Sequence, residues 1–202
     1  MVFYYHSTRS NIKQKILKSQ KIKFSNFKTT KYVEWLLSKL VEKDELKDVP
    51  TSYPGSPSNA RFMGEGLYCL ESFEEAEQYY SQDGYEVVTL EMKNDFSLYK
   101  MDDKKNKLEI LRTLHNDLSE FVESMDEESR KVWRVLLELL KQSLYEDYKN
   151  RPEMVGVMIH VLREVIPKEK YDVYSKSFYV KMKSQYMTYV LIRNKNAILK
   201  KN

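Results

Sequence analysis

Apolar residues along the chain follow two different spacings, and the spacing changes near residue 104. Short runs rich in β-branched and aromatic residues predict strands on both sides of the central region. The predicted strands are Val2–His6, Leu67–Leu70, Tyr85–Met92, Phe96–Tyr99, Ser177–Met182 and Tyr186–Arg193. An Asn-Asp turn separates the third of these strands from the fourth.

Apolar residues at helical spacing predict helices between these strands. Asn11–Ser19 is one such segment, with Ser10 as its candidate N-cap. Thr30–Glu42 is a clearer amphipathic helix, and Ser72–Tyr80 begins with the Ser-x-x-Glu pattern of a capping box. From about 104 to 166 the spacing is helical throughout.

The distribution of these elements predicts an α+β protein. Strand-rich segments lie at both ends of the chain, and about sixty helical residues, at about 104–166, lie between them. Because the two ends supply strands of similar character, we expect residues 1–202 to form a single domain with a helical insertion.

Composition excludes several classes of protein. Of the 202 residues, 42% are hydrophobic and 32% are charged, which is typical of a globular domain. The chain has no apolar run of transmembrane length and no secretion signal at its N-terminus, so we expect a cytoplasmic protein without a membrane partner. The single cysteine, Cys69, and three separated histidines indicate neither a disulfide framework nor a metal site.

Basic residues are concentrated at the two ends of the chain. Residues 1–31 contain eight Lys and Arg and no acid, and residues 174–202 contain seven and no acid. Such ends can face a phosphate-bearing ligand, but scattered solvated lysines give the same count. The net charge of +4 does not decide between the two interpretations.

Three short motifs carry the candidate chemistry. The first is Tyr5–Thr8 (YHST), after the opening strand; the second is Gly64–Tyr68 (GEGLY), followed eleven residues after Tyr68 by Tyr79; the third is Gln185–Val190 (QYMTYV). In this order they resemble the ADP-ribosyltransferases, in the branch that includes diphtheria toxin and the poly(ADP-ribose) polymerases. The resemblance covers about 130 of the 202 residues and leaves the helical segment unexplained.

The resemblance implies a split antiparallel sheet that binds NAD as the ADP-ribose donor. His6 would hydrogen-bond the adenosine ribose, the Ser7 backbone would hold the nicotinamide amide, and Thr8 would support the same pocket. Tyr68 and Tyr79 would flank the nicotinamide ring, and position 185 would touch the nicotinamide ribose. Either Arg61, from the loop before the second motif, or Arg9 would meet the pyrophosphate. The catalytic set would therefore be His6, Tyr68 and Gln185, with no metal.

Two positions depart from the family pattern. Gln185 stands where the family usually has Glu, whose charge stabilises the cation that develops on the ribose. Ser7 stands where the family usually has Gly. Glu65 is a possible substitute for the missing carboxylate.

The leading hypothesis is an NAD-dependent ADP-ribosyltransferase of the toxin or phage-defence type, from a bacterial or phage-related source. Its acceptor would be a protein or a nucleic acid, and an inhibitor or antitoxin protein would be a further partner. The alternative is a catalytically impaired module that binds NAD or ADP-ribose and acts through its helical insertion. A third hypothesis is a nucleic-acid-binding protein with coincidental motifs.

Overall fold

The computed structural model describes residues 1–25, 27–41, 62–79, 84–165 and 170–202, apart from the side chain of Met182. Contacts divide the chain into two units. The sheet unit comprises Met1–Ser25, Gly66–Asp103 and Tyr171–Asn202, and the helical unit comprises Asn26–Glu65 and Lys104–Lys170. The helical unit is therefore larger than the segment 104–166, because it also takes in Asn26–Glu65, which includes the first two residues of the second motif.

Strands and helices are interspersed up to Lys100, helices follow, and the remaining strands lie at the C-terminal end. The strands are β1 (Val2–Arg9), β2 (Leu67–Leu70), β3 (Tyr85–Met92), β4 (Leu98–Lys100), β5 (Val173–Val180), β6 (Gln185–Ile192) and β7 (Ile198–Lys201). The helices are α1 (Ser10–Ser19), α2 (Thr29–Val41), α3 (Phe73–Tyr79), α4 (Lys104–His115), α5 (Asp117–Glu123), α6 (Glu127–Tyr145) and α7 (Met154–His160). A π-helical segment, Val161–Val165, continues α7.

The strands form one seven-stranded sheet in the order β4-β5-β6-β2-β1-β3-β7. Neighbours are antiparallel except β4 and β5, which are parallel. This arrangement confirms the α+β class.

The sheet opens between β1 and β2. β1 pairs with β3 along its whole length, from Val2 to Arg9, whereas its register with β2 consists of the single pair Tyr5 and Leu70. β2 in turn pairs with β6 over all four of its residues. The two halves of the sheet are thus joined at one position, and the edges of β1 and β2 diverge beyond it.

The core of the sheet unit lies on one face of the sheet. Its members come from six strands, from α1 and from the 3₁₀ turn before β7, and their side chains are almost completely buried: Tyr4, Ile16, Leu67, Cys69, Val88, Leu90, Met92, Val173, Val190, Ile192, Ala197 and Ile198. α1 packs on this face through Ile16, as its apolar spacing predicts. Cys69 is a buried apolar side chain, and burial raises the pKa of its thiol.

The helical unit buries the apolar faces of its helices against one another. The apolar residues of α6 divide into two groups: Leu136, Leu139 and Leu140 are buried, whereas Val132 and Val135 are half-buried. Asp126 caps α6 by accepting hydrogen bonds from the N–H groups of Glu128 and Ser129. None of the described helices is long and apolar enough to cross a membrane.

Several local predictions need correction. Ser10 is not the cap of α1 but its first residue, and its hydroxyl donates to the carbonyl of Gly84. The Asn-Asp turn does separate two strands, β3 and β4, but these lie near opposite ends of the sheet and do not pair with each other. β5 begins at Val173 rather than at Ser177, and β7 was not predicted.

Candidate functional site

A side chain bridges the opening between β1 and β2. Nδ1 of His6 lies 2.8 Å from the carbonyl oxygen of Tyr68. Because a carbonyl oxygen can only accept, Nδ1 carries a proton and donates it. Two of the residues that the sequence predicts for the site are therefore in direct contact.

The peptide group of Ser7 faces the same opening. On the outer side of β3, the N–H and C=O of Thr89 both bond to Asn202. Tyr5 pairs with Thr89, so Tyr5 directs its own N–H and C=O away from β3 and toward β2. Ser7 lies two residues further along the strand and has the same orientation. Since β1 and β2 do not pair at Ser7, its N–H and C=O point into the opening.

His6 explains why the ladder stops here. In a continued antiparallel ladder the carbonyl of Tyr68 would accept from the amide of Ser7. The imidazole of His6 donates to that carbonyl instead. The carbonyl of Tyr68 thus has a hydrogen-bond donor in His6 instead of Ser7. The N–H and C=O of Ser7, one donor and one acceptor, are therefore available to a ligand.

The environment of His6 fixes its protonation. Burial lowers the pKa of the imidazole, and the hydrogen bond to Tyr68 opposes this with a smaller effect. The ring is therefore neutral near pH 7, with its one proton on Nδ1. Nε2 then carries a lone pair and can accept a hydrogen bond from a ligand hydroxyl.

Helix α3 places aromatic rings over the face of the sheet opposite the core. The ring of Phe73 meets Tyr5 edge-on at a centroid distance of 5.7 Å, and Tyr79 meets Tyr189 edge-on at 5.8 Å. Tyr68 pairs in register with Leu191 and so shares the face of Tyr189. The eleven-residue spacing thus brings Tyr68 and Tyr79 to the same face.

Gln185 lies on this face as well, but toward the end of the sheet. It is the first residue of β6 and pairs with Val180 across the β5–β6 hairpin. Strand alternation puts it on the side of Met187 and Tyr189, and its Cα is about 13 Å from that of Tyr189 along the strand. Its half-buried amide makes no hydrogen bond within the described part of the chain.

The glycines of the second motif are required by close packing. A Cβ on Gly64 would lie 2.6 Å from Oγ1 of Thr29 in the helical unit, and a Cβ on Gly66 would lie 2.8 Å from the carbonyl oxygen of Ile192 in the sheet unit. Their φ angles, +83° and +153°, also disfavour a side chain. Packing within each unit is therefore sufficient to explain both glycines.

Glu65, between the two glycines, already has a partner. Its carboxylate lies 3.1 Å from Nζ of Lys28, and its peptide N–H donates to Oγ1 of Thr29 at 2.9 Å. Glu65 also belongs to the helical unit, whereas His6 and Gln185 belong to the sheet unit.

The remaining predicted residues are less informative. Thr8 and Arg9 end β1, where they pair with Glu86 and Tyr85, and Arg9 is exposed. Arg61 and the proline-rich segment before it, which was predicted to be a loop, lie outside the described residues.

Glu75 on α3 was not predicted as part of this region. Its carboxylate accepts a hydrogen bond from the N–H of Thr188 in β6, and burial raises its pKa. The peptide N–H of Glu71 donates to the Thr188 carbonyl at 3.4 Å, which is the last contact of the β2 edge. Glu75 therefore takes the place of the next backbone acceptor and anchors α3 to β6.

Lys176 is a second residue that sequence analysis missed. Its side chain is 1% exposed, and its Nζ lies 2.5 Å from Oδ1 of Asp102. The other oxygen of Asp102 accepts from the N–H of Ser177 at 2.6 Å. Among the lysines of a basic segment, no sequence signal marks the one that is buried.

Comparison with known proteins adds no relative. No protein-family model matches the chain, and no curated protein or solved structure matches it significantly. Among the described residues, no three His, Cys, Asp or Glu side chains cluster in a way that could hold a metal ion. The opening between β1 and β2, with the residues around it, is therefore the feature of the protein that bears most on function.

Proposed function

We propose that the protein is an NAD-dependent ADP-ribosyltransferase whose donor site is the opening between β1 and β2. The observation that carries the proposal is the exchange of hydrogen-bond partners there: His6 occupies the Tyr68 carbonyl, and the peptide edge of Ser7 is left facing the opening. A primary amide can donate one of its two N–H groups to a peptide carbonyl while its own carbonyl accepts from the N–H of the same peptide edge. The nicotinamide carboxamide is such a group, and the edge of Ser7 offers one donor and one acceptor for this pair of hydrogen bonds.

Neighbouring side chains suit the rest of the dinucleotide. Tyr68 and Tyr79 share the face beside the opening, and aromatic rings there can stack on the cationic nicotinamide. The lone pair on Nε2 of His6 accepts from a ribose hydroxyl of the adenosine. Thr8 and Arg9, at the end of β1, are the nearest polar residues along the strand for the pocket and the pyrophosphate.

The reaction breaks the bond between C1′ of the ribose and the nicotinamide nitrogen. The bonding electrons leave with nicotinamide, so positive charge develops on C1′ and the ring oxygen before the acceptor nucleophile bonds to C1′ and releases a proton. Gln185 can orient the ribose hydroxyls through its amide but adds no negative charge. Without that charge the barrier rises by about 2–4 kcal/mol, by analogy with the loss of one electrostatic stabiliser.

A second candidate function is a module that binds NAD or ADP-ribose without turnover. The observation that favours it is the absence of charge at position 185, combined with the pairing of Glu65 to Lys28 in the other unit. In this case the helical unit would carry the effect to a partner protein. The apolar groove lined by Leu40, Val132 and Val135 is the corresponding surface.

The biological setting forms part of the same proposal. The protein would act in the cytoplasm as a toxin or phage-defence enzyme, and an inhibitor protein would block its activity. Its acceptor is a protein or a nucleic acid.

The test is transfer of label from adenylate-labelled NAD to a cell extract by the purified full chain. Parallel samples are digested with protease or nuclease to identify the acceptor. His6→Ala removes the imidazole from the opening, and His115→Ala, at an exposed position on α4, is the matched control. We expect wild type and His115→Ala to transfer label and His6→Ala to lose transfer.

Circular dichroism establishes that both variants are folded. Full transfer by folded His6→Ala would overturn the donor-site assignment. Saturable NAD binding that His6→Ala abolishes, with no transfer by any protein, would favour the binding module instead.

A further inference from the structure

An exposed aromatic pair lies near the end of the β5–β6 hairpin. Tyr179 and Tyr186 are direct cross-strand partners, with ring centroids 5.4 Å apart and an interplanar angle of 63°. Their positions opposite each other on neighbouring strands account for the contact between the rings. Both rings still face solvent, since Tyr179 is 53% exposed and Tyr186 is 61% exposed.

Basic residues form the turn next to this pair. A 3₁₀ turn, Lys181–Lys183, joins the two strands and ends at Ser184 in the left-handed conformation. Lys181 is exposed and Lys183 is partly exposed, and neither forms an ion pair with a described residue. Two lysine charges therefore lie within a few residues of two available rings.

No acid opposes these charges along the strands. The chain has no Asp or Glu from Val173 to its last residue. Two carboxylates contact the hairpin from other elements: Asp102 accepts from the buried Lys176 and from the N–H of Ser177, and Glu75 accepts from the N–H of Thr188. Neither is paired with Lys181 or Lys183, so the turn at the end of the hairpin is positive.

We propose that this surface, formed by Tyr179, Tyr186, Lys181 and Lys183, binds single-stranded nucleic acid. Two bases stack on the tyrosine rings, and the lysines pair with backbone phosphates. Rings that stand out from the surface can stack only on bases that are not already stacked in a duplex, so the partner is a single strand. An acidic peptide would satisfy the lysines but would leave the rings without a function.

The bound strand has a defined position relative to Gln185. Tyr186 is the next residue along β6, and alternation directs its ring to the opposite face. The stacked bases therefore leave the Gln185 face open for the donor. The assignment of this strand as the acceptor of ADP-ribose rests on the proposed function, whereas the binding itself does not.

Binding is measured on the full chain without NAD, by fluorescence anisotropy with labelled oligothymidylate and oligouridylate of about twelve nucleotides, within the range of single-strand site sizes. We expect saturable binding of at least one of these two oligonucleotides. Replacing both tyrosines with Ala should weaken it by about 5- to 100-fold, whereas replacing both with Phe should retain most of it. Tyr145→Ala, at a 70% exposed tyrosine on α6, is the control.

The lysines are tested by salt dependence. Lys181→Gln and Lys183→Gln should each reduce the slope of log affinity against log salt by about 0.7, the value for one phosphate contact to a single strand. The matched control Lys131→Gln, at an exposed lysine on α6, should leave the slope unchanged.

Three results would overturn the proposal: no saturable binding, equal affinity for a duplex of the same sequence, or binding that the Tyr→Ala pair does not change. Displacement of the oligonucleotide by polyglutamate at equal charge concentration would indicate a surface for acidic peptides and would also overturn it. Because NAD is absent, a failure of the proposed transferase leaves these outcomes interpretable.

Discussion

One imidazole determines what the opening between β1 and β2 offers to a ligand. By donating to the Tyr68 carbonyl, His6 removes the acceptor that the Ser7 amide would otherwise use. The same hydrogen bond fixes the tautomer, so that Nε2 is an acceptor as long as the ring stays neutral. At the residue scale, the binding chemistry proposed for this opening therefore depends on the protonation state of His6.

That dependence predicts an effect of pH on stability. Because the pKa of folded His6 lies below its ordinary value of 6.5, the unfolded chain binds more protons just below pH 6.5 than the folded protein does. The free energy of unfolding should decrease as pH falls from 6.5 toward the folded pKa. Denaturant unfolding from pH 7.5 to pH 5 measures it, with the non-titrating variant His6→Asn as the reference.

The acidic residues contribute equally to the pH dependence of the free energy of unfolding in wild type and in His6→Asn. Only the difference between the two pH profiles therefore reports on His6. Parallel pH profiles for the two proteins would contradict this account.

Gln185 gives a second prediction at the same scale. If the site is a transferase weakened by the missing charge, Gln185→Glu should raise kcat by about 10²–10³, because the new carboxylate stabilises the developing cation. Single-turnover release of nicotinamide measures the change. The control is Gln14→Glu, at an exposed position on α1. Unchanged kcat with unchanged NAD affinity would support the binding module.

The order of the motifs singled out His6, Tyr68 and Gln185 as candidates, and the structure places two of them, His6 and Tyr68, in direct contact. The direction of the Ser7 peptide could not be predicted from the sequence. It follows from the hydrogen bonds between Thr89 in the neighbouring strand and Asn202, which is distant in sequence. Glu75 and Lys176 were missed for the same reason: each is defined by a partner that is distant in sequence.

At the scale of elements, the predictable features are those set by local patterns. The Ser72 hydroxyl accepts from the N–H of Glu75 at 3.2 Å, as the capping pattern predicted for α3. The pairing of β4 with β5 was not predictable from an Asn-Asp turn, because a turn specifies neither the partner of a strand nor its direction. β7 was missed because its Ile-Leu-Lys-Lys sequence is half basic and only four residues long.

The glycines allow a test of how the second motif works. Gly66→Ala introduces a Cβ against the backbone of Ile192 at a φ of +153°, so it should lower the free energy of unfolding by about 2–4 kcal/mol. Gly84 has a φ of +87°, but a Cβ there would meet nothing within 4 Å. Gly84→Ala should therefore cost only the backbone strain, about 1–2 kcal/mol.

Denaturant unfolding of the two glycine variants gives the comparison. Equal losses of stability would mean that close approach to Ile192 contributes nothing and that the motif needs another explanation.

At the scale of the whole molecule, ligand binding and stability are linked. NAD that binds only the folded protein should raise its free energy of unfolding by about 2.7 kcal/mol at a concentration 100 times its Kd. The melting temperature should rise by several degrees in wild type and in His115→Ala, and should not change in His6→Ala. Calorimetry with and without NAD measures the shift, and no shift in wild type at millimolar NAD would contradict donor binding.

The two glycines of the second motif belong to different units, and each is needed for packing in its own unit. Since Gly64 serves the helical unit and Gly66 the sheet unit, both are needed by any chain that folds this way, whether or not it performs chemistry. During divergence, selection for folding alone would retain them whether or not the chain kept a ligand. His6 is tied to folding as well, because its Nδ1–H satisfies the carbonyl of Tyr68. Position 185 is under no such constraint, since the Gln185 amide makes no hydrogen bond within the described part of the chain. Variation at position 185, rather than at the glycines, would therefore distinguish lineages in which the proposed transferase is active from those in which it is not.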